Sequence, residues 1–298
     1  MTDQLTFDDP RTRFPKIDPP TDRIQDEPGL QSAMTPVPDL GEATYRGTGR
    51  LTGRRAIVTG GDSGIGGATA IAFAREGADV AIVHLPAEQS DADHVLEQIR
   101  AAGRRGVSIA GDLTDAAFAR DAVRQAHEAL GGLDALALVA GKQVTATDVV
   151  ELPDEQFVET YEVNVFAAYR MVQAAVPLLP PGSTIVLTAS LETYQASPER
   201  IDYASTKAAI NTLGKGLAQQ LAPKGVRVNV VAPGPTWTAL QVSKGIPAEE
   251  IAGYGADTPL GRAAQPAELA PAYVFFSSPE SSFVVGATLA VNGGTPTP

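Results

Sequence analysis

The chain has 298 residues, of which 43% are hydrophobic and 19% charged, and its formal net charge is −12. An acidic balance of that size disfavours nucleic acid and anionic membrane as partners, and no apolar run approaches the ~18 residues of a membrane span. The lack of cysteine excludes disulfides, thiol nucleophiles and cysteine metal sites. The opening stretch "MTDQLTFDDPRTRFPKIDPP" has no apolar core of a secretory signal, so a cytoplasmic location is expected. No metal site is expected either: His84, His94 and His127 are scattered, and "DADH" at 91–94 reads as a solvated helix face.

Residues 1–50 carry seven prolines and fifteen charged residues and show little periodicity, a composition that forms no core of its own. They are expected to form an arm along this subunit or a neighbour, anchored by Phe7, Phe14, Leu30, Met34 and Tyr45. Residues 51–298 are expected to form one dinucleotide-binding catalytic domain. There, apolar runs alternate with helical patterns at 64–76, 87–102, 114–130, 153–179, 202–221 and 266–278. The runs are "RRAIVTGG", "DVAIVHL", "RGVSIAGDL", "LDALALVAG", "STIVLTAS", "VRVNVVAPG" and "ATLAVNGG". Continuous rather than alternating apolar runs indicate strands buried on both faces, as in a parallel sheet. Seven such strands predict an α/β, doubly wound, Rossmann-type sheet with its ligand beyond the carboxyl edge.

Each motif falls at that edge. "TGGDSGIGGATA" follows the first strand, and Gly60, Gly64 and Gly66 let the backbone turn tightly and approach a pyrophosphate at a helix N-terminus. Asp62 and Ser63 can satisfy free N–H groups of the turn, and Ile65 completes the candidate cradle. The plainer reading is a glycine-rich turn without ligand. Asp112 and Leu113, after the third strand, can hold an adenine ring or merely cap the next helix. At the end of the second strand a carboxylate favours NAD and a basic residue favours NADP. His84 and Leu85 stand there with no acid in the slot, so NADP(H) is expected, with NAD(H) possible.

Tyr203 and Lys207 are four apart on a helical segment and share a face. A tyrosine of pKa about 10 is a poor base at neutral pH, and a neighbouring ammonium brings it toward the working range. Ser190 ends the fifth strand thirteen residues earlier, where its hydroxyl can polarise a carbonyl.

The glycine turn, the serine and Tyr-x-x-x-Lys together resemble the short-chain dehydrogenase/reductase family over residues 51–295. "LVAGKQ", "YQASP", "IDYASTKAAI" and "VAPGPTWTAL" are similar to a bacterial branch of NADP-dependent aldehyde reductases and general-stress dehydrogenases with an N-terminal extension. The resemblance implies a catalytic tetrad of Asn164, Ser190, Tyr203 and Lys207. In it Asn164 holds a water and a helix distortion, Ser190 binds the carbonyl oxygen and Tyr203 transfers the proton. Lys207 lowers the tyrosine pKa and binds the nicotinamide ribose. The resemblance also implies that Pro233, Gly234, Thr236 and Thr238 close over the nicotinamide, that Ala140 and Gly141 contact the cofactor, and that the assembly is a homotetramer. Two departures stand out. "LVAG" replaces the family's Asn-Asn-Ala-Gly, which removes bracing contacts, and Gly67 stands where the branch more often has arginine.

Lys142, Tyr194 and Trp237 are the candidate substrate contacts, with Leu240, Ile246 and Tyr254 as further apolar walls. The segment 239–262, punctuated by Gly245, Gly253 and Gly255, reads as a lid. The expected activity is hydride transfer between a nicotinamide cofactor and a small aldehyde, ketone or alcohol. A sugar 1-dehydrogenase, a 3-oxoacyl thioester reductase and a non-catalytic dinucleotide sensor are the alternatives.

Overall fold

The seven apolar runs become seven strands: β1 (Arg55–Thr59), β2 (Asp79–His84), β3 (Gly106–Ala110), β4 (Ala135–Leu138), β5 (Thr184–Thr188), β6 (Arg227–Pro233) and β7 (Thr288–Val291). The computed structural model describes residues 3–17 and 24–298. All neighbouring strands pair in parallel, in the order β3-β2-β1-β4-β5-β6-β7. The interior strands are buried almost throughout, while the edge strands β3 and β7 are partly exposed. This explains why the interior runs lack a polar face. The strand order reverses between β1 and β4, which opens a crevice at the carboxyl edge there.

Among the described residues eight α-helices accompany the sheet: α1 (Gly64–Arg75), α2 (Gln89–Ala101), α3 (Ala116–Leu130), α4 (Asp154–Tyr161), α5 (Ala167–Ala175), α6 (Ile201–Leu221), α7 (Ala248–Ile251) and α8 (Pro266–Ser277). Successive strand residues serve opposite cores, because side chains alternate along a strand. Val58 packs with Ile71, Phe73, Tyr273 and Phe276 on one face. Ile57 packs with Val123, Leu136 and Met171 on the other. The expected helix over 153–179 is interrupted by a five-residue π turn, Glu162–Phe166, between α4 and α5. Such turns often mark functional positions, and this one contains Asn164.

The missing asparagine bracing has a local substitute. The Thr59 hydroxyl, at the end of β1, accepts from the N–H groups of Val139 and Ala140 at 2.9 and 3.0 Å. It ties β1 to the loop after β4.

The expected arm, residues 1–50, includes 1–2 and 18–23, which lie outside the described residues. Within the remainder, Met34 and Tyr45 are buried as anticipated, together with Ile17 and Leu40. Phe7 is a correction: it is fully exposed and anchors nothing. Phe14 is half-buried beneath the Arg262 guanidinium, 5.6 Å from its ring centre. Leu40 also accounts for Gly67, since a Cβ there would stand 3.0 Å from the Leu40 Cδ1. The "DADH" stretch meets the arm as well. The Asp91 carboxylate accepts from the N–H groups of Gln31 and Ser32 at 2.6 and 3.2 Å, and His94 reaches Glu42 at 3.1 Å.

One buried acid fixes the point where the arm joins the domain. Glu76, fully buried after α1, accepts from the Tyr45 hydroxyl, from the N–H groups of Thr48 and Arg50, and from the Arg50 guanidinium at 2.7 Å. Among the described residues no helix is long and apolar enough to cross a membrane. No cluster of three His, Cys, Asp or Glu side chains that could hold a metal occurs among them either.

Candidate active site

A cavity of about 970 Å³ lies in the crevice at the carboxyl edge of the sheet. Its walls include Gly60, Asp62, Ser63, Gly64, Ile65 and Gly66 from the first turn, and His84 and Leu85 from the end of β2. Asp112 and Leu113 follow β3, and Ala140 and Gly141 follow β4. Pro233, Gly234, Thr236 and Thr238 follow β6. Ser190, Tyr203 and Lys207 line the same cavity. The fold thus brings together side chains that span 179 positions of sequence, from Gly60 to Thr238.

Whether a dinucleotide fits is decided at the glycine turn. Gly64 adopts φ +49°, and a Cβ on Gly66 would lie 1.8 Å from the Gly60 carbonyl oxygen. Only glycine at 66 lets α1 start this close to the end of β1, with its N-terminus facing the cavity. In the lining, Asp62 is 2% exposed and its Oδ1 has no hydrogen-bond partner. The residues present therefore suit a nicotinamide dinucleotide. Gly66→Ala should raise the dissociation constant for NADH or NADPH at least tenfold, a loss of about 1.4 kcal/mol. Titration of bound nicotinamide fluorescence measures it, and an unchanged constant would remove the cradle from its assigned role.

The arm contributes a contact that no sequence motif announced. The side-chain oxygen of Gln31, itself 4% exposed, accepts from the N–H of Gly64 at 2.8 Å. Glu27, Pro28 and Gly29 reach the cavity wall. Glu27 holds the Lys142 ammonium at 2.6 Å, with Glu159 at 3.4 Å. Lys142, expected at the substrate, thus lines the cavity with its charge already engaged.

Asn164 stands behind the cavity wall. Its Oδ1 accepts from the N–H of Lys142 at 2.7 Å, and its Nδ2 donates to the Lys142 carbonyl at 2.9 Å and the Thr206 hydroxyl at 3.0 Å. These three hydrogen bonds join the π turn, the loop after β4 and α6. That answers the desolvation cost of an amide in an apolar helix.

Ser190 accepts from the N–H of Glu192 at 3.1 Å and starts a one-turn 3₁₀ helix, Leu191–Thr193. Tyr203 is 8% exposed, and the Lys207 ammonium lies 5.3 Å from its ring centre. Lys207 donates to the Thr188 carbonyl at 3.0 Å. Burial with no carboxylate partner pushes Lys207 down to about 8. The expected depression of the tyrosine does not arise from this geometry. Burial pushes Tyr203 above its usual value and the Glu192 carboxylate adds to that, while the Ser190 hydroxyl pulls the other way. The phenol therefore keeps its proton at neutral pH.

Three further expectations are corrected. Tyr194 does not line the cavity: the 3₁₀ turn after Ser190 carries it onto α6, with its hydroxyl 3.5 Å from the Asn211 amide. Trp237 is wholly buried, donates from Nε1 to the Pro36 carbonyl at 2.8 Å, and packs with Ile17, Met34, Val242 and Ile251. It joins the arm to segment 239–262 and does not line the cavity. His84 has both ring nitrogens engaged, Nδ1 with the Leu85 carbonyl and Nε2 with the Ser108 hydroxyl, each at 2.8 Å. It has no free donor for a phosphate.

Leu240, Ile246 and Tyr254 line the cavity as the apolar walls expected of them, and Glu192, Gln195, Ser197 and Arg200, which no motif marked, form a polar one. Glu192 and Arg200 make an ion pair of 2.7 Å, while Arg200 keeps one buried guanidinium nitrogen without a hydrogen bond. Glu88 was missed as well. The signal for it was Leu-Pro-Ala-Glu, in which proline starts a short helical turn and the acid three positions on returns to cap it. The Glu88 carboxylate accepts from the N–H of Leu85 at 2.8 Å and lines the cavity.

A family model described as enoyl-(acyl carrier protein) reductase matches residues 60–296. A crystal structure of a short-chain dehydrogenase from Burkholderia cenocepacia, in complex with NADP, superposes with a TM-score of 0.76 at 35% identity, over 82% of this chain and 98% of the other. The chain belongs to the short-chain dehydrogenase/reductase family. As a member of that family it is an oxidoreductase of the Rossmann type. It is 55% identical over 286 residues to the uncharacterized oxidoreductase YghA of Escherichia coli, covering 96% of this chain and 97% of the relative. It is 38% identical over 280 residues to the glucose and ribitol dehydrogenase of Daucus carota, covering 92% and 96%.

Proposed function

We propose that this short-chain dehydrogenase/reductase reduces small aldehydes or ketones with a nicotinamide dinucleotide, with Tyr203 supplying the proton. The observation that carries the reading is one cavity holding Ser190, Tyr203 and Lys207 beside the glycine turn. When bound, a reduced nicotinamide supplies the hydride. Ser190 orients the carbonyl oxygen, and the buried, protonated phenol of Tyr203 donates to that oxygen as negative charge develops on it. Lys207, held by the Thr188 carbonyl, keeps a positive charge under the tyrosine ring as its proton leaves. Asn164 positions rather than reacts: it fixes the loop after β4, whose Gly141 passes between Asn164 and Lys207. The NADP of the Burkholderia structure supports a nicotinamide dinucleotide here.

A second reading concerns the substrate. The polar wall of Glu192, Gln195, Ser197 and Arg200 favours a polyhydroxylated carbonyl compound over a plain alkyl one, and the name of the carrot relative supports it. Segment 239–262 would then close over the hydroxyl groups. Exposed apolar side chains on α4, the π turn and α5, such as Phe157, Phe166 and Tyr169, and Phe283 before β7, support a homotetramer.

The test is turnover against a panel of alkyl aldehydes, ketones, aldoses and polyols with both dinucleotides. Its pH profile is informative because kcat/KM reports the free enzyme. Reduction needs Tyr203 protonated and Lys207 charged, and both hold at neutral pH. As pH rises, Lys207 loses its proton first, so kcat/KM for reduction should fall through a midpoint near 8. A profile flat to pH 10 would remove Lys207 from this role.

A further inference from the structure

The first turn of α1 is capped from a distance. Ser63 stands at the N-cap position with an extended backbone, yet its side chain makes no cap hydrogen bond. The acceptor comes instead from Gln31, 33 positions upstream, whose side-chain oxygen takes the Gly64 N–H at 2.8 Å. Serine is among the best N-caps, so a cap needed only for stability lies within the turn itself. The Gly67 N–H starts the helix ladder on the Ser63 carbonyl, and the N–H groups of Ile65 and Gly66 make no hydrogen bond among the described residues. Both residues line the cavity. Unused N–H groups at the start of a helix suit a phosphate. Gln31 thus takes the Gly64 N–H and leaves the two that follow it open.

Gln31 is itself held from two sides. Its own N–H and that of Ser32 donate to the buried Asp91 carboxylate on α2 at 2.6 and 3.2 Å, so the short turn Gln31–Ala33 is tied to α2 while its first side chain is tied to α1. Two residues earlier, Gly29 passes so close to segment 239–262 that a Cβ would stand 2.9 Å from the Ser243 Cβ and 3.0 Å from the Ala239 carbonyl oxygen. The Gln25 N–H donates to the Val242 carbonyl at 2.8 Å. The arm therefore runs from segment 239–262 to the glycine turn, with Glu27, Pro28 and Gly29 along the cavity wall. Gly64 has φ +49°, and glycine adopts either sign of φ with little penalty. A turn built on such a residue needs a contact from outside to hold one form.

We propose that Gln31 is a positioning residue of the dinucleotide site: by holding the Gly64 N–H it fixes the glycine turn in the form that presents the Ile65 and Gly66 N–H groups, so that arm docking and dinucleotide binding strengthen each other. This rests on the reading of the cavity as a nicotinamide dinucleotide site. Coupling between two such events is reciprocal. A docked arm raises the affinity for the dinucleotide, and a bound dinucleotide holds the arm docked by the same factor. Gln31 acts through Gly64 and not on the reacting atoms, so its loss should appear in cofactor binding and leave the chemical step alone.

The test compares the full chain with Gln31→Met, which keeps the length of the side chain and removes its oxygen. Both proteins are titrated with NADH and with NADPH by bound-nicotinamide fluorescence. For whichever dinucleotide the wild type binds, the dissociation constant should be at least about fivefold higher in the variant. KM for that dinucleotide should rise with it, while kcat at saturating dinucleotide and KM for the carbonyl compound stay unchanged. A general loosening of the fold would move all three. Amide hydrogen exchange gives a second readout, free of catalysis and open to the wild type alone, because it reports local opening. ADP-ribose should slow exchange at the N–H groups of Gln31 and Ser32 at least about fivefold, and Gln31→Met should abolish the slowing. No slowing in a wild type that binds ADP-ribose would overturn the proposal, whether or not the variant folds. Slowing that persists in the variant, or an unchanged dissociation constant, would take the coupling away from Gln31. Weaker binding and lost slowing in the variant would uphold the proposal even without turnover of any carbonyl compound, an outcome that would count against the proposed reaction alone. A wild type that binds neither dinucleotide nor ADP-ribose would overturn the proposal together with the reading of the cavity.

Discussion

Tyr203→Phe should lower kcat for carbonyl reduction by about 10²–10⁴-fold, the usual contribution of a positioned proton donor, and leave the dinucleotide dissociation constant nearly unchanged. The ring is buried beside Lys207, so phenylalanine fills the same space and removes only the hydroxyl. Nothing else in the lining is placed to substitute. The Tyr254 hydroxyl is also pushed up by burial, and the charge of Tyr203 acts on it in the same direction, so it too remains a protonated phenol. Among the described residues no ammonium lies over its ring of the kind that Lys207 provides at Tyr203. Steady-state rates for the two proteins at one pH, with the fluorescence titration as control, make the comparison. A variant retaining more than a tenth of wild-type kcat would mean the proton comes from elsewhere.

The largest effect on stability is expected at Glu76→Ala. Removing this carboxylate leaves the Arg50 guanidinium with only the Tyr45 hydroxyl and the more distant Glu280, and leaves the Tyr45 hydroxyl and the Thr48 and Arg50 N–H groups without their acceptor. Breaking a buried ion pair from one side costs about 3–5 kcal/mol, which would be read as a lower urea midpoint. The same group makes an acid-sensitive joint. Burial alone would push the Glu76 carboxyl up, but the Arg50 guanidinium, the N–H of Arg50, the Tyr45 hydroxyl and the Thr48 N–H outweigh it and hold it at about 2. Its folded-state value lies below the unfolded one of about 4.3. The stabilisation is therefore fully present above that pH and disappears as pH falls from about 4 to 2, an amount of about 3 kcal/mol. In Glu76→Gln that portion of the acid dependence should vanish, and persistence of the full slope would place the titration on other carboxylates.

What could be read in the chain before its fold was known depended on how local the signal was. The strands announced themselves because a strand buried on both faces has no polar side to show. The glycine turn and the pair Tyr203 and Lys207 were legible because each works within one turn of backbone. The misreadings share the opposite property. Trp237 follows the catalytic stretch on the way to segment 239–262, yet its partner is the Pro36 carbonyl, 201 positions away. Tyr194 follows Ser190 closely, but a single 3₁₀ turn carries it out of the cavity. Glu88 enters by a similar turn in the other direction. Gln31 at the Gly64 N–H has no sequence signature, since glutamine is an ordinary surface residue until a fold brings it to a cradle.

The arm's contacts also set an order of events during synthesis. The arm leaves the ribosome before the domain it packs on, yet Gln31 must wait for Gly64, and Pro36 for Trp237. Pro10 must wait for Arg262, whose guanidinium donates to its carbonyl across 252 positions at 2.6 Å. Contacts of such sequence separation form late, after the entropy of closing a long loop has been overcome. The glycine turn can be complete when about a quarter of the chain has emerged, whereas the wall that the arm and segment 239–262 build together requires almost all of it. A nascent chain of this enzyme can therefore complete its glycine turn well before it has an enclosed cavity around it.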